Sequence, residues 1–233
     1  MSNDDFSGFP AETFKFLQGL SADNSKTWFD AHRDDYDNYY VTPARAFVAA
    51  LGPRLQEISP DVQFAPKING SIFRINRDIR FSKDKTPYKN HLDMWFWHGE
   101  RKGWGAPGFY FRLMADRLIL GTGMHKFDKP QVEAFRAAVI DDKAGKALEK
   151  VLKDVTAAGP YEVDAPGRKN VPRGFDKDHP RAHLLLHDGL TAGMSGKVPA
   201  VAGKAGFVDF CAGHFAAIAP LTRWLLENVS RGS

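Results

Sequence analysis

Hydrophobic positions recur at helical spacing through the first quarter of the chain. Phe14, Leu17 and Leu20 fall on one face of a helix predicted from Pro10 to Leu20. Asn24 or Ser25 is a candidate cap for a second helix carrying Trp28, Phe29, His32, Tyr36 and Tyr39. Pro43 suits the first turn of a third, in which Phe47, Leu51, Leu55 and Ile58 repeat at the same period.

The period then changes from helical to alternating. Leu92, Met94 and Phe96 point one way and Asp93, Trp95 and Trp97 the other, which predicts a strand over Leu92 to His98. Phe109 to Met114 and Leu118 to Gly123 flank Ala115-Asp116-Arg117, a hairpin signature. Connections this short require antiparallel pairing, because a parallel pair needs a long crossover.

Helical spacing returns at Asp128, a candidate N-cap, with Pro130 in the first turn and Phe135 and Val139 on one face. Lys143 to Val155 reads as a lysine-rich amphipathic helix ending near Gly159. The Pro- and Gly-containing segment 160–180 predicts an ordered loop, and the small, polar segment 189–206 a loop or weak strand. A last helix is predicted from Phe207 to Asn228, with Pro220 expected to kink or split it. No repeat and no linker interrupts the order of helices, strands and helices. The expectation is an α+β single domain over residues 1–233, its antiparallel sheet in the middle of the chain packed against N-terminal and C-terminal helices.

Composition narrows the picture modestly. With 233 residues, 43% of them hydrophobic, the chain can bury a sizeable core. A net charge of +4 is too mild to demand a nucleic-acid partner, so nucleic acid stays a secondary option. The one cysteine, Cys211, excludes an intrachain disulfide and a cysteine-based zinc site, and fits a reducing compartment. The N-terminal MSNDDFSGFP is acidic and has no apolar signal core, and no stretch approaches a membrane span. A soluble cytoplasmic protein without a membrane partner is expected, and nothing in the chain indicates an oligomeric state.

Candidate chemistry concentrates in Arg74 to Lys89, RINRDIRFSKDKTPYK, which sets six cations and two acids among hydrophobic residues. As a strand, 73–81 would put Phe73, Ile75, Arg77, Ile79 and Phe81 on one face, with Arg77 in need of a partner there. A helical reading aligns Arg74, Arg77, Asp78 and Phe81 instead, but Pro87 and the Ser82-Lys83-Asp84-Lys85 run favour a strand followed by a loop. Arginine forks bind carboxylate or phosphate oxygens in pairs. Arg74, Arg77 and Arg80 are therefore candidate anion ligands, with Lys83, Lys85, Tyr88 and Lys89 at the edge of the pocket. Asp78 and Asp84, beside these charges, are candidate acid/base groups. No glycine-rich phosphate loop accompanies them, so no nucleotide cofactor is expected, and the proposed partner is an anionic small molecule. The alternative is structural: each arginine pairs with a carboxylate of its own chain.

The same stretch, RxxRDxRFSxDKxPYK, resembles the signature of domain of unknown function 2461. Phe16-Leu17, Asn24, Trp28-Phe29 and Tyr36 are similar to that family's N-terminal pattern. Gly108-Phe109-Tyr110 and the Gly121-x-Gly123 turn resemble its middle, and Val171-Pro172-Arg173-Gly174-Phe175 with Asp178-His179-Pro180 its second motif. Gly123-Met124-His125 departs from the more aromatic run expected there. The resemblance implies a fold unit of about this length and no particular activity. It also implies that Arg173 and His179 approach the basic stretch, His179 as a further acid/base candidate.

Other patterns weigh less. His179, His183 and His187 are four apart, the spacing of imidazoles that share a helix face and a metal, but Pro180 interrupts, no acidic third ligand stands out, and no metal is assigned. Cys211 and His214 read as residues of an apolar helix face. Trp95, Trp97 and Trp104, near Arg101 and Lys102, offer stacking surfaces beside positive charge, the combination that binds single-stranded nucleic acid.

Overall fold

The computed structural model describes residues 5–99 and 105–230. Arg101, Lys102 and Trp104 lie outside the described residues. Helix α1 spans Ala11–Ala22 and buries Phe16, Leu17 and Leu20. Ser25 caps α2, Lys26–Ala31, by accepting a hydrogen bond from the Trp28 amide at 3.1 Å. The expected second helix does not continue to Tyr39. It breaks at His32 into a single turn, α3, Arg33–Asp35, and a π-helical turn, Tyr36–Val41. The extra residue in a π turn rotates the helix beyond it. Tyr36 and Tyr40 both end up buried, their rings 5.3 Å apart. Helix α4, Thr42–Ile58, opens with proline in its first turn and buries Phe47, Leu51 and Leu55 as their spacing predicts.

Five antiparallel strands form one sheet in the order β1-β2-β3-β5-β4. Here β1 is Leu92–Trp97, β2 Gly108–Leu113, β3 Arg117–Met124, β4 Glu162–Val163 and β5 Leu190–Lys197. The strand β5 lies where the sequence signal was weakest. Its LTAGMSGK buries only Leu190 and Ala192, so pairing with β3 along its whole length, rather than side-chain patterning, holds it in the sheet. The two-residue β4 adds an edge inside the segment expected to be a loop.

The basic stretch is not a regular strand. Its extended backbone makes a single isolated bridge, Asn76 to Tyr88, flanked by the bonds Arg77 N to Pro87 O at 2.9 Å and Lys89 N to Ile75 O at 2.8 Å. Pro87 has no amide to extend the ladder. The apolar face expected of a strand is not formed either: Ile75 is buried, whereas Phe81 is 95% exposed.

The sheet's inner face carries Met94, Phe96, Phe109, Phe111, Leu118 and Leu120, all fully buried. Helix α7, Phe207–Asn228, covers this face. Phe215 meets Phe109 at a centroid distance of 5.3 Å and Phe207 meets Phe111 at 6.1 Å. Thr222 hydrogen-bonds Thr122, whose hydroxyl also lies 2.8 Å from the Gly108 carbonyl. Pro220 sits within α7 without ending it, so the expected split does not occur. Phe47 from α4 joins Phe111 and Phe207, uniting N-terminal helices, sheet and C-terminal helix in one core. Each such ring is worth about 1.5–3 kcal/mol of burial.

Helices α5, Lys129–Ile140, and α6, Asp142–Ala157, flank α7. A capping box between Asp128 and Gln131 starts α5, as the sequence predicts. Buried Arg181 stops it, donating from Nε to the Val139 carbonyl at 2.7 Å and from Nη2 to the Ile140 carbonyl at 3.3 Å. These acceptors are helix-end carbonyls that lack intrahelical partners. No helix among the described residues is long and apolar enough to cross a membrane.

Candidate functional site

Strand register builds the outer face of the sheet row by row. Trp95, Tyr110, Gly121, Gly193 and Glu162 are partners in one row across all five strands. Beside it run Asp93, Arg112, Ile119 and Ser195. Two adjacent glycines in the first row leave a trough between Tyr110 and Glu162. It opens into a groove of about 820 Å³, lined also by Arg112, Ile119, Lys126, Asp164 and Thr191. The two glycines are not equivalent. A Cβ on Gly193 would lie 2.4 Å from the Leu120 carbonyl oxygen, so its backbone packing excludes a side chain. A Cβ on Gly121 would meet only ordinary contacts, the nearest at 3.4 Å, so the backbone there does not demand glycine.

At the β1–β2 side of the groove stands a charge cluster that sequence reasoning missed. Asp93, 5% exposed, accepts from Arg112 Nε at 2.6 Å and Nη2 at 3.1 Å, and from the Tyr110 hydroxyl at 2.7 Å. His91 Nε2 lies 3.2 Å from the same carboxylate and Lys89 Nζ 3.7 Å. Burial alone would push the Asp93 pKa up, but hydrogen bonds from His91 and Arg112 outweigh it and hold the carboxyl well below the usual range. Burial pushes Lys89 down, against the pull of Asp93, and Arg74 is close enough to add to that lowering. Burial and the neighbouring Asp93 push the Tyr110 hydroxyl far up, so it serves as a donor and a wall, not a base. Two cations, Arg112 and Lys89, hold one carboxylate between them, and Arg74 brings a third positive charge near Lys89. The Nη1 of Arg112 has no hydrogen-bond partner among the described residues, and Arg112 is the cation of the cluster that lines the groove.

The N-terminal helices support this cluster from behind. The Asn24 side chain hydrogen-bonds the Tyr88 backbone twice, accepting from its amide and donating to its carbonyl, both at 3.0 Å. The Tyr88 ring stacks on Phe29 at 4.2 Å. From the π turn, the Tyr40 hydroxyl donates to the His91 carbonyl at 3.1 Å. The resemblance motifs around Asn24, Phe29 and Tyr36 therefore brace the end of the basic motif, Tyr88 to His91, where it runs into β1.

The rest of the basic stretch is arranged differently. Arg77 donates to Asp84 at 2.6 Å and to Thr86, both its carbonyl at 3.0 Å and its hydroxyl. Arg80 forms a two-pronged pair with Asp78 at 2.9 and 2.6 Å, which lowers the Asp78 pKa to about 2. Asp84 is lowered too, first by the Thr86 amide and hydroxyl and then by Arg77. Lys85 donates to the Ile79 carbonyl at 2.9 Å, and Lys83 is exposed. Arg77 and Arg80 thus each hold an acid of their own chain, while Lys89 turns toward Asp93 with Arg74 near it. The Tyr88 ring belongs to the core. Arg173 is exposed on a turn, and His179 Nδ1 accepts from the Arg181 amide at 3.1 Å. No hydrogen bond or ion pair among the described residues joins either to the basic stretch.

His179, His183 and His187 do not share a helix face. They lie along turns and a 3-10 turn, Leu184–Leu186, and no metal-binding group of three was found among the described residues. His214 hydrogen-bonds the Tyr161 hydroxyl at 2.8 Å, and Cys211 is buried. Trp95 lines the groove, whereas Trp97, one row further along β1, does not.

An antiparallel sheet covered by helices on one face, with a grooved outer face and a buried aspartate–arginine pair at its rim, defines the class: an α+β protein. The family described as a conserved hypothetical protein, DUF2461, matches residues 12–224, and the chain belongs to it. No curated protein matches the sequence.

Proposed function

We propose that the protein binds a carboxylated or phosphorylated small molecule in the groove on the outer face of its sheet. Arg112 meets the anion at the rim, and Lys89 and Arg74 reinforce the positive field from behind it. Trp95, Tyr110 and Ile119 contact the apolar body of the ligand, and Gly121 and Gly193 form the floor. The observation that carries this reading is the register: it sets an arginine with one unbonded nitrogen, Nη1, beside a trough floored by two glycines. Concave, mainly apolar sites with a few placed polar groups are where small ligands bind. The reading shifts the anion from Arg77, which holds Asp84 and Thr86 through one nitrogen, and Arg80, whose fork holds Asp78, to the other end of the same motif. The lone buried thiol, Cys211, suits a cytoplasmic setting.

A thermal-shift panel of organic acids, phosphosugars and nucleotides tests it, with Gly121→Val as the groove-filled control. A ligand present at ten times its dissociation constant stabilises the wild type by about 1.4 kcal/mol. Stabilisation of the wild type and none of the variant supports the reading. A folded protein that no anion stabilises overturns it.

One observation favours a second reading, a non-catalytic nucleic-acid or protein interaction module. Phe81, 95% exposed, sits beside exposed Arg80 and near exposed Lys83 and Lys85. That reading expects oligonucleotide binding that weakens steeply with salt and is lost in Phe81→Ala.

A further inference from the structure

The groove is electrically lopsided. On its β2 side it meets Arg112, backed by Lys89. On its β4 side it meets Glu162 and Asp164, and Asp128 joins them at the strand ends, with Lys126 the one lysine there. Glu162 stands in the same row as Tyr110, three strand spacings away. At the usual strand spacing that places the two sides about 14 Å apart at the backbone. Asp164 is fixed by its own backbone bond to the Thr191 carbonyl at 3.1 Å and by the Thr191 hydroxyl. Between the two sides lie Ile119, Ser195 and the glycine floor; the charged pair of the central strands on this face, Arg117 and Lys197, stands one row beyond Ser195, outside the groove lining.

We infer that the ligand is dipolar: an anionic group at Arg112, an ammonium or other cationic group at Glu162 and Asp164, and an extended apolar body over Gly121 and Gly193. This rests on the small-molecule reading above and narrows its ligand class. A plain anion satisfies one rim and leaves its tail facing two carboxylates. A dipolar ligand of matching length satisfies both rims, and its own dipole opposes the field across the groove. A short zwitterion cannot reach both sides, so length discriminates as well as charge.

The test compares octanoate with its ω-amino derivative, and butanoate with its own, by NMR titration of the full chain at neutral pH and low salt. A rim-exposed charge pair contributes a few tenths to one kcal/mol, so the long amino acid should bind about two- to five-fold tighter than octanoate. The short pair should show no such gain. In the double variant Glu162→Gln, Asp164→Asn, both sites being exposed, the long pair should bind equally and octanoate should bind as to the wild type or better. Equal binding of the long pair to the wild type, or a preference that survives in the double variant, overturns the dipolar assignment and leaves the anion reading standing. Binding of neither compound overturns both.

Discussion

Asp93 and Arg112 face each other across β1 and β2 as register partners, and the guanidinium grips the carboxylate with two nitrogens, at 2.6 and 3.1 Å. The pair sits where the helically supported end of the basic motif enters the sheet, so it links the N-terminal helices to the rim of the groove. Removing one partner of a buried pair leaves an uncompensated charge. Asp93→Ala should cost about 3–5 kcal/mol, measured by urea unfolding. A loss below about 1 kcal/mol, the range of exposed pairs, would show that the cluster is solvated and not structural.

Acid should weaken the fold in two stages. His98, held between Ser59 and the Pro107 carbonyl, and His187 both have pKa values lowered, first of all by burial. A lowered imidazole pKa means the folded state prefers the neutral form, so its contribution is complete above the ordinary value of 6.5 and declines as pH falls through the folded value. Asp93 is also lowered, so its contribution is complete above the ordinary carboxylate value of 3.8 and is lost further down. Urea midpoints should be flat above about pH 6.5, fall gently below it, and fall steeply below about pH 4. His98→Gln should shrink the first stage, leaving the part His187 contributes, and leave the second stage unchanged.

Two neighbouring glycines should respond in opposite ways. Gly121→Val places a β-branched residue on a strand with room for it, so stability should stay level or rise by up to about 1 kcal/mol while ligand binding disappears. Gly193→Val drives a Cβ into the Leu120 carbonyl and should destabilise by about 2 kcal/mol or more. Thermal unfolding of both variants checks the contrast.

Asn24→Ala removes both side-chain bonds to the Tyr88 backbone. About 1–2 kcal/mol should be lost, with faster hydrogen exchange at the Tyr88 amide while the amides of α7 keep their protection relative to the lowered global stability. Unchanged exchange at Tyr88 would show that the Phe29 stack alone holds the segment.

Arg181→Met removes the donors that terminate α5. Because the carbonyls of 139–141 lose a charged donor together, about 2–3 kcal/mol should be lost. Urea unfolding checks it, and Arg181→Lys should recover only part of the loss, since one ammonium does not reproduce the fork.

The sequence revealed much of this fold because period and caps agree wherever apolar residues are dense. The helix Phe207–Asn228, the Asp128 cap and the hairpin around Asp116 all stand as their patterns indicate. It left β5 open between a loop and a weak strand because glycine, serine and alanine carry no alternation. It concealed the rim cluster for a different reason. Asp93 lies 17 residues from Tyr110 and 19 from Arg112, and only strand register makes them neighbours. The conspicuous arginines are conspicuous for being close in sequence, and that closeness lets Arg80 take Asp78 and Arg77 take Asp84. The one available signal was a lone aspartate among the apolar residues of LDMWFW, matched by a lone arginine in GFYFRL.

The most direct test is an amide-resolved NMR titration of the wild type with octanoate. Binding in the groove predicts saturable shifts at Tyr110, Arg112, Gly121 and Gly193, absent in Gly121→Val. Saturable shifts confined to residues 77–86, or no saturable shifts at all, would contradict it.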